Sequence, residues 1–293
     1  MNYYKDFKLY LEELDKSENT IKSYLETIKK FSTWVNNEKD ISNLFIVAIR
    51  EIKDYRNYLL ERYSPATVNQ RLSAIKTFYG FLFESGLIKL NPAKNVRLQR
   101  VEDNIKSQYL TRAEELKVIR QASNSNKRNY CIVMLMLKTG LRPTEVCNLM
   151  LNDIFLDEKE PTLLVKNSKQ NKSRYIPIPK DAYKALNEWL EERNKSEKVY
   201  HIRSNFVFTS QRQGYLETRA VQRIVENIGK NIGIKLYCVR LRATYANSLI
   251  QQANIPLSAL ANLMGHSSVQ TSARYLTASD KDKRKYIDTI SEI

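Results

Sequence analysis

The sequence predicts a mainly α-helical protein. An N-terminal four-helix-type domain is expected to precede a mostly helical domain with a small antiparallel β-sheet. Three observations carry this prediction. Apolar residues recur at the i, i+3, i+4, i+7 spacing of buried helix faces along most of the chain. Gly and Pro are scarce, at seven each in 293 residues. Runs rich in β-branched and aromatic residues are few and short, and they fall together in the second half.

The first helix with a clear face spans Ser17 to Val35, with Ile21, Tyr24, Leu25, Ile28, Phe31 and Val35 on one side. Ser17 or Asn19 can cap its start. Ile46 to Leu60 reads as a second helix. A third begins at Ser64-Pro65, a capping serine followed by proline at the first helical position. Its buried face is Val68, Leu72, Ile75, Phe78, Tyr79 and Leu82, Gly86 ends it, and Asn91-Pro92 turns the chain. Asn95 to Ser107 is polar, mixed in charge and without periodicity. This predicts a first domain over 1–97, a linker at 98–107 and a second domain over 108–293.

Thr111 and Glu114 form a capping box that restarts helical order. Helices are expected near 112–122, 128–138 and 143–150. Leu163 to Val165, Tyr175 to Ile178 and Phe206 to Thr209 are expected to be the strands of the small sheet. From Arg219 the helical pattern returns.

Composition narrows the function. Lys and Arg number 48 against 32 Asp and Glu, a formal charge of +16. Such an excess favours a polyanionic partner. The longest apolar run, near Cys131 to Leu137, is far too short to cross a bilayer, so no membrane role is expected. The N-terminus is polar, and the reading expects a cytoplasmic protein without a secretory signal. The three cysteines form no CxxC pair, and the only histidines are His201 and His266. No metal site and no cofactor are expected.

Four stretches carry candidate chemistry. In Thr139-Gly-Leu-Arg142-Pro-Thr-Glu145, Gly140 ends one helix and Pro143 opens the next. That places Arg142 at a helix start, where a guanidinium can add a bidentate fork for phosphate. Lys169, Lys172 and Arg174 crowd the turn between two expected strands. A lysine there can reach a DNA groove and, if desolvated, donate a proton. Arg240 and Arg242 lie two apart on a helix, so their side chains diverge and only one is expected to face a site. Gly265 ends a helix, His266 occupies the bend, and Tyr275 lies nine residues after His266. Taken singly, each of these residues is an ordinary turn, surface or core residue.

Their order changes the reading. Arg142, the Lys169 hairpin, Leu241-Arg242, Gly265-His266 and Tyr275 together resemble the tyrosine recombinase (phage integrase) family, especially its compact Xer-like members. The first domain adds Ser17-x-x-Thr20-x-x-x-Tyr24, Phe31-x-x-Trp34, Ser64-x-x-Thr67-x-x-x-Arg71 and Gly86-Leu-Ile-x-x-Asn91-Pro92, which resemble that family's SAM-like core-binding helices. The likeness spans roughly residues 5 to 280.

The resemblance implies a site-specific recombinase that breaks and rejoins double-stranded DNA through a 3′-phosphotyrosyl intermediate, without ATP or metal. It implies that Arg142 and Arg242 clamp the scissile phosphate and that His266 hydrogen-bonds to it. Lys169, with Lys172 as second choice, would protonate the leaving 5′ oxygen. Tyr275 would attack, and Glu145 would support the site. Arg71, Lys76, Lys172, Arg174 and Arg240 are the expected DNA contacts. A homo-oligomer on the DNA, tetrameric in the synapse, is implied, with the amphipathic 279–293 tail docked on a neighbouring protomer. One position departs from the pattern: the family commonly has histidine three residues before the second arginine, and here that residue is Val239. The alternatives are a catalytically impaired DNA-binding homologue and a DNA-relaxing enzyme resembling type IB topoisomerases.

Overall fold

The computed structural model describes residues 3–100, 109–156, 159–166, 173–211, 214–253 and 255–265. Contacts divide the chain into two units, Met1–Asp103 and Asn104–Ile293.

The N-terminal unit contains four α-helices: α1 (Tyr3–Glu13), α2 (Glu18–Lys39), α3 (Ile49–Leu60) and α4 (Pro65–Glu84). The expected caps form. Ser17 accepts from the Thr20 N–H, and Ser64 accepts from the Thr67 N–H with Pro65 at the first helical position. The helix expected from Ile46 starts at Ile49, because Leu44–Ile46 closes a separate 3₁₀ turn first. There Asn43 accepts from the Phe45 N–H, and Glu51 accepts from the Ala48 N–H.

The buried faces meet in an aromatic core. Phe7, Phe31, Tyr55, Phe78 and Tyr79 are each at most 1% exposed. Phe7 meets Phe78 edge-on, with ring centroids 5.1 Å apart. Tyr79 resolves the cost of burying its hydroxyl by donating to the Leu44 carbonyl at 3.0 Å.

The C-terminal unit is built around α6 (Lys127–Thr139). Every residue from Cys131 to Leu137 is buried, so this helix is apolar on all sides rather than on one stripe. Around it pack α5 (Arg112–Ser123), α8 (Lys180–Asn194) and α11 (Cys238–Ala253). The short α7 (Pro143–Asn148) follows α6, and α9 (Val199–Ile202), α10 (Thr218–Asn231) and α12 (Leu257–Met264) complete the helices of the described residues. Thr111 and Glu114 form the expected capping box at α5. All three cysteines are buried thiols without a disulfide.

The sheet has three antiparallel strands in the order β1 (Ile154–Phe155), β2 (Thr162–Val165) and β3 (Arg174–Pro177). Leu163 pairs with Ile154 on one side and Ile176 on the other. The strand expected at Phe206–Thr209 does not join it. Its backbone groups are claimed singly elsewhere. The Val207 N–H donates to the Leu149 carbonyl, the Leu216 N–H donates to the Phe208 carbonyl, and the Trp189 indole donates to the Val207 carbonyl. Among the described residues, one bridge between Met150 and Phe206 is all the strand pairing this segment makes. The third strand is instead the two-residue β1.

Among the described residues no helix is long and apolar enough to cross a membrane, and no group of three His, Cys, Asp or Glu is placed to hold a metal ion.

Candidate active site

The site is assembled from four chain segments of the C-terminal unit. Gly140 ends α6 at a left-handed φ of 65°, and Pro143 opens α7. Arg142 lies between them. Its backbone N–H donates to Glu145 Oε2 at 2.8 Å, and its Nη1 donates to Glu145 Oε1 at 2.9 Å. One side chain of the first helical turn thus caps the helix and steers the arginine.

Arg174, the first residue of β3, meets the same carboxylate as a two-pronged fork. Nη1 donates to Oε1 and Nη2 to Oε2, both at 3.0 Å. The Glu145 and Arg174 side chains are only 11% and 13% exposed. Burial pushes the Glu145 carboxyl up, but the hydrogen bonds and charges of Arg174 and Arg142 outweigh it. The carboxyl is held below the usual glutamate value and stays ionised.

Arg242, at the start of the second turn of α11, is 6% exposed and donates to the carbonyls of Gly140 and Met264. Three arginines therefore converge on the last carbonyls of α12. Arg174 Nε donates to Leu263 O at 3.0 Å, Arg242 Nη2 to Met264 O, and Arg142 Nη2 to Gly265 O at 2.7 Å. These carbonyls lack helical partners and form the negative end of the helix dipole, so cations are the natural occupants.

Gly265 permits the close approach. Its φ is 60°, and a Cβ there would lie 2.6 Å from Arg174 Nη1 and 3.3 Å from Arg142 Nη1. Gly140 is similarly crowded, since a Cβ would come 2.4 Å from Tyr245 Cδ1. Burial raises the Tyr245 phenol above its ordinary value, against the opposing pull of Arg242 and Arg174.

Two guanidinium groups share the Glu145 carboxylate and a third, that of Arg242, holds the adjoining carbonyls, which leaves a surplus of positive charge. Planar forks of this kind match the geometry of phosphate oxygens. The structure thus brings Arg142, Arg242 and Glu145 together and adds Arg174 to them. Lys169, Lys172, His266 and Tyr275 lie outside the described residues, as does the 279–293 tail.

The remaining expected DNA contacts are placed elsewhere. Arg240 diverges from Arg242, and its Nη2 donates to Glu114 Oε1 at 2.8 Å and Oε2 at 3.0 Å. Its Nη1 donates to the Lys235 carbonyl, so this arginine ties α11 to α5. Arg71 and Lys76 belong to the N-terminal unit. Arg71 stacks over the Tyr63 ring at 3.8 Å, and Lys76 Nζ donates to the carbonyls of Lys94 and Val96. The Val239 side chain is largely exposed.

Sequence reasoning missed the inward role of Arg174. It read a basic turn as a whole, and a pair 29 residues apart in the chain leaves no periodic signal.

The comparisons agree with this architecture. Residues 108–282 match the model of the phage integrase family, and residues 3–86 match that of the phage integrase N-terminal SAM-like domain. Tyrosine recombinase XerC of Pediococcus pentosaceus is 30% identical over 281 residues, covering 92% of this chain and 91% of the relative. Tyrosine recombinase XerC of Bacillus pumilus is 31% identical over 293 residues, covering 94% and 93%. A crystal structure of the XerH site-specific recombinase, bound to a palindromic difH substrate after cleavage, shares the fold. Its TM-score is 0.75 at 20% identity, over 94% of this chain and 80% of that one.

Proposed function

The chain belongs to the phage integrase family and is a site-specific DNA recombinase; we propose that it cuts duplex DNA with Tyr275 as a covalent nucleophile. The observation that supports this reading best is the convergence of Arg142 and Arg242 on the Met264–Gly265 turn, one residue before His266.

A phenol at its ordinary pKa near 10 is mostly neutral at pH 7 and a poor nucleophile. Arg142 and Arg242 compensate by gripping the non-bridging oxygens of the scissile phosphate, and His266 adds a hydrogen bond. Their charge stabilises the five-coordinate transition state and eases loss of the Tyr275 proton. Tyr275 Oη then bonds to phosphorus as the P–O5′ bond breaks. Lys169 gives the leaving oxygen its proton, with Lys172 as the second candidate. The products are a 3′-phosphotyrosyl enzyme and a free 5′ hydroxyl. One phosphodiester-level bond replaces another, so rejoining draws on no ATP. Attack by the 5′ hydroxyl of a partner duplex completes strand exchange.

Glu145 aims Arg142 in this scheme. Two domains, divided by a linker at 98–107, grip the DNA, with Arg71, Lys76, Lys172 and Arg240 as the phosphate-contact candidates; Arg174 is engaged by Glu145 instead. The recombinase works as a homo-oligomer on DNA, four copies in the synapse, each docking its C-terminal tail on a neighbour.

Plasmids carrying two copies of a binding site selected from random DNA test this directly. Recombinant circles from paired sites are expected. Binding without any strand breakage would identify a DNA-binding homologue, and relaxation of plasmids lacking the site would identify a topoisomerase-like enzyme.

A further inference from the structure

We infer that Arg174 is a positioning residue for cleavage: through Glu145 and the Leu263 carbonyl it locks Arg142 and the Gly265 turn into one rigid unit. The inference rests on the recombinase reading above and assigns this arginine a task other than holding DNA.

The geometry carries it. Arg174 makes two parallel bonds to Glu145 at 3.0 Å and a third to Leu263 O at 3.0 Å, using both Nη atoms and Nε. Glu145 spends the same two oxygens on the side chain and the backbone of Arg142. Arg142 in turn reaches Gly265 O at 2.7 Å. The contacts close a ring: Arg174 to Glu145, Glu145 to Arg142, Arg142 to Gly265, and back along two peptide units to Leu263.

Three separate segments, β3, the start of α7 and the end of α12, are joined in that ring. The guanidinium plane also packs where a Gly265 side chain would be. A ring of charge-assisted bonds with so little exposure leaves its members few alternative arrangements.

Lysine cannot replace Arg174 here. An ammonium is a point charge and cannot present the flat fork that spans Glu145 while also reaching Leu263 O. A phosphate-contact residue would behave differently, because lysine serves that purpose as well. The two roles therefore separate experimentally.

The test uses the full chain and a nicked suicide duplex, with wild type and Tyr275→Phe as references. An adduct in wild type that Tyr275→Phe abolishes establishes the underlying reading. If wild type gives no adduct, that reading fails before Arg174 is at issue.

Given the adduct, Arg174→Gln is compared in two measurements. The first is the single-turnover cleavage rate at saturating DNA, expected to fall about 100-fold, the usual effect of misplacing a reacting group by about 1 Å. The second is the slope of log affinity against log salt, expected to stay unchanged. Loss of a phosphate contact would instead flatten that slope by about 0.9.

Arg174→Ala supplies a further readout: guanidinium added to the buffer is expected to restore part of its lost rate, which a general loss of folding would not permit. Arg174→Lys keeps the charge and covers the case in which the other variants do not fold. Its cleavage is expected to be at least tenfold slow with wild-type affinity. A flattened salt slope in Arg174→Gln, or wild-type cleavage by Arg174→Lys, would overturn the inference.

Discussion

Glu145→Ala should destabilise the C-terminal unit by about 3 kcal/mol, and the structure supplies the reasoning. The carboxylate accepts four hydrogen bonds between 2.8 and 3.0 Å, three from guanidinium groups and one from a backbone N–H. Breaking a buried ion pair by removing one partner costs about 3–5 kcal/mol, because the other charge is left without compensation. Arg174, at 13% side-chain exposure, meets that condition. Arg142, at 36%, regains part of its hydration, which places the sum at the low end of the range. For a unit of this size the loss corresponds to a fall of about 6–12 °C in its thermal midpoint. Calorimetry of the full chain measures it, with the exposed Glu26–Lys30 pair as the control: Glu26→Ala should leave the midpoint nearly where it was. A Glu145→Ala change under about 1 kcal/mol would refute the reasoning, since it would mean that water already solvates both arginines.

Other outcomes follow from the same geometry. Gly265→Ala should slow cleavage sharply, since its Cβ displaces the Arg174 guanidinium, whereas Gly233→Ala, also at positive φ but with nothing within 4 Å, should cost only about 1 kcal/mol of stability and no activity. Urea melts and cleavage rates of the two variants distinguish them. Acid should weaken the C-terminal unit. Glu145 titrates lower when folded than when unfolded, so its contribution is complete above the unfolded value near 4.3 and is lost as pH falls through the folded one. Melts below about pH 4 should show that loss, and Glu145→Gln should flatten the dependence. Val239→His restores a proton-transfer group at the position where the family commonly has one, on an exposed face of α11. It should raise the single-turnover cleavage rate by about tenfold, the modest end of acid–base effects. An unchanged rate would show that another group already fills that role.

Local chemistry made much of the fold legible. Ser17, Ser64-Pro65 and the Thr111–Glu114 box announce helix starts through side-chain acceptors for orphaned N–H groups, and each does so in the structure. Gly140 and Gly265 announce helix ends, because a left-handed cap strongly favours glycine. The sheet was half legible. Thr162–Val165 and Arg174–Pro177 have the composition of strands, but β1 is only two residues and carries no pattern. Phe206–Thr209 has the composition and lacks a partner edge, which composition alone does not reveal.

Helix α8 has a readable face, Ala182, Ala185, Leu186 and Trp189, in a stretch between two expected strands that carries no expected element of its own. In the site, the residue types and their order pointed to Arg142, Glu145 and Arg242. The sharing of Glu145 between Arg142 and Arg174, and the grip of three arginines on consecutive carbonyls, depend on tertiary packing between α7, β3, α11 and α12. No spacing along the chain encodes those contacts.

Peptide mapping of the covalent adduct tests the central claim most directly. The full chain is trapped on a nicked suicide duplex, digested, and the DNA-linked peptide is sequenced. The account predicts a phosphotyrosyl bond at Tyr275, attached to a 3′ phosphate, and no adduct from Tyr275→Phe. A DNA link at any other residue, or an adduct that survives Tyr275→Phe, would contradict it.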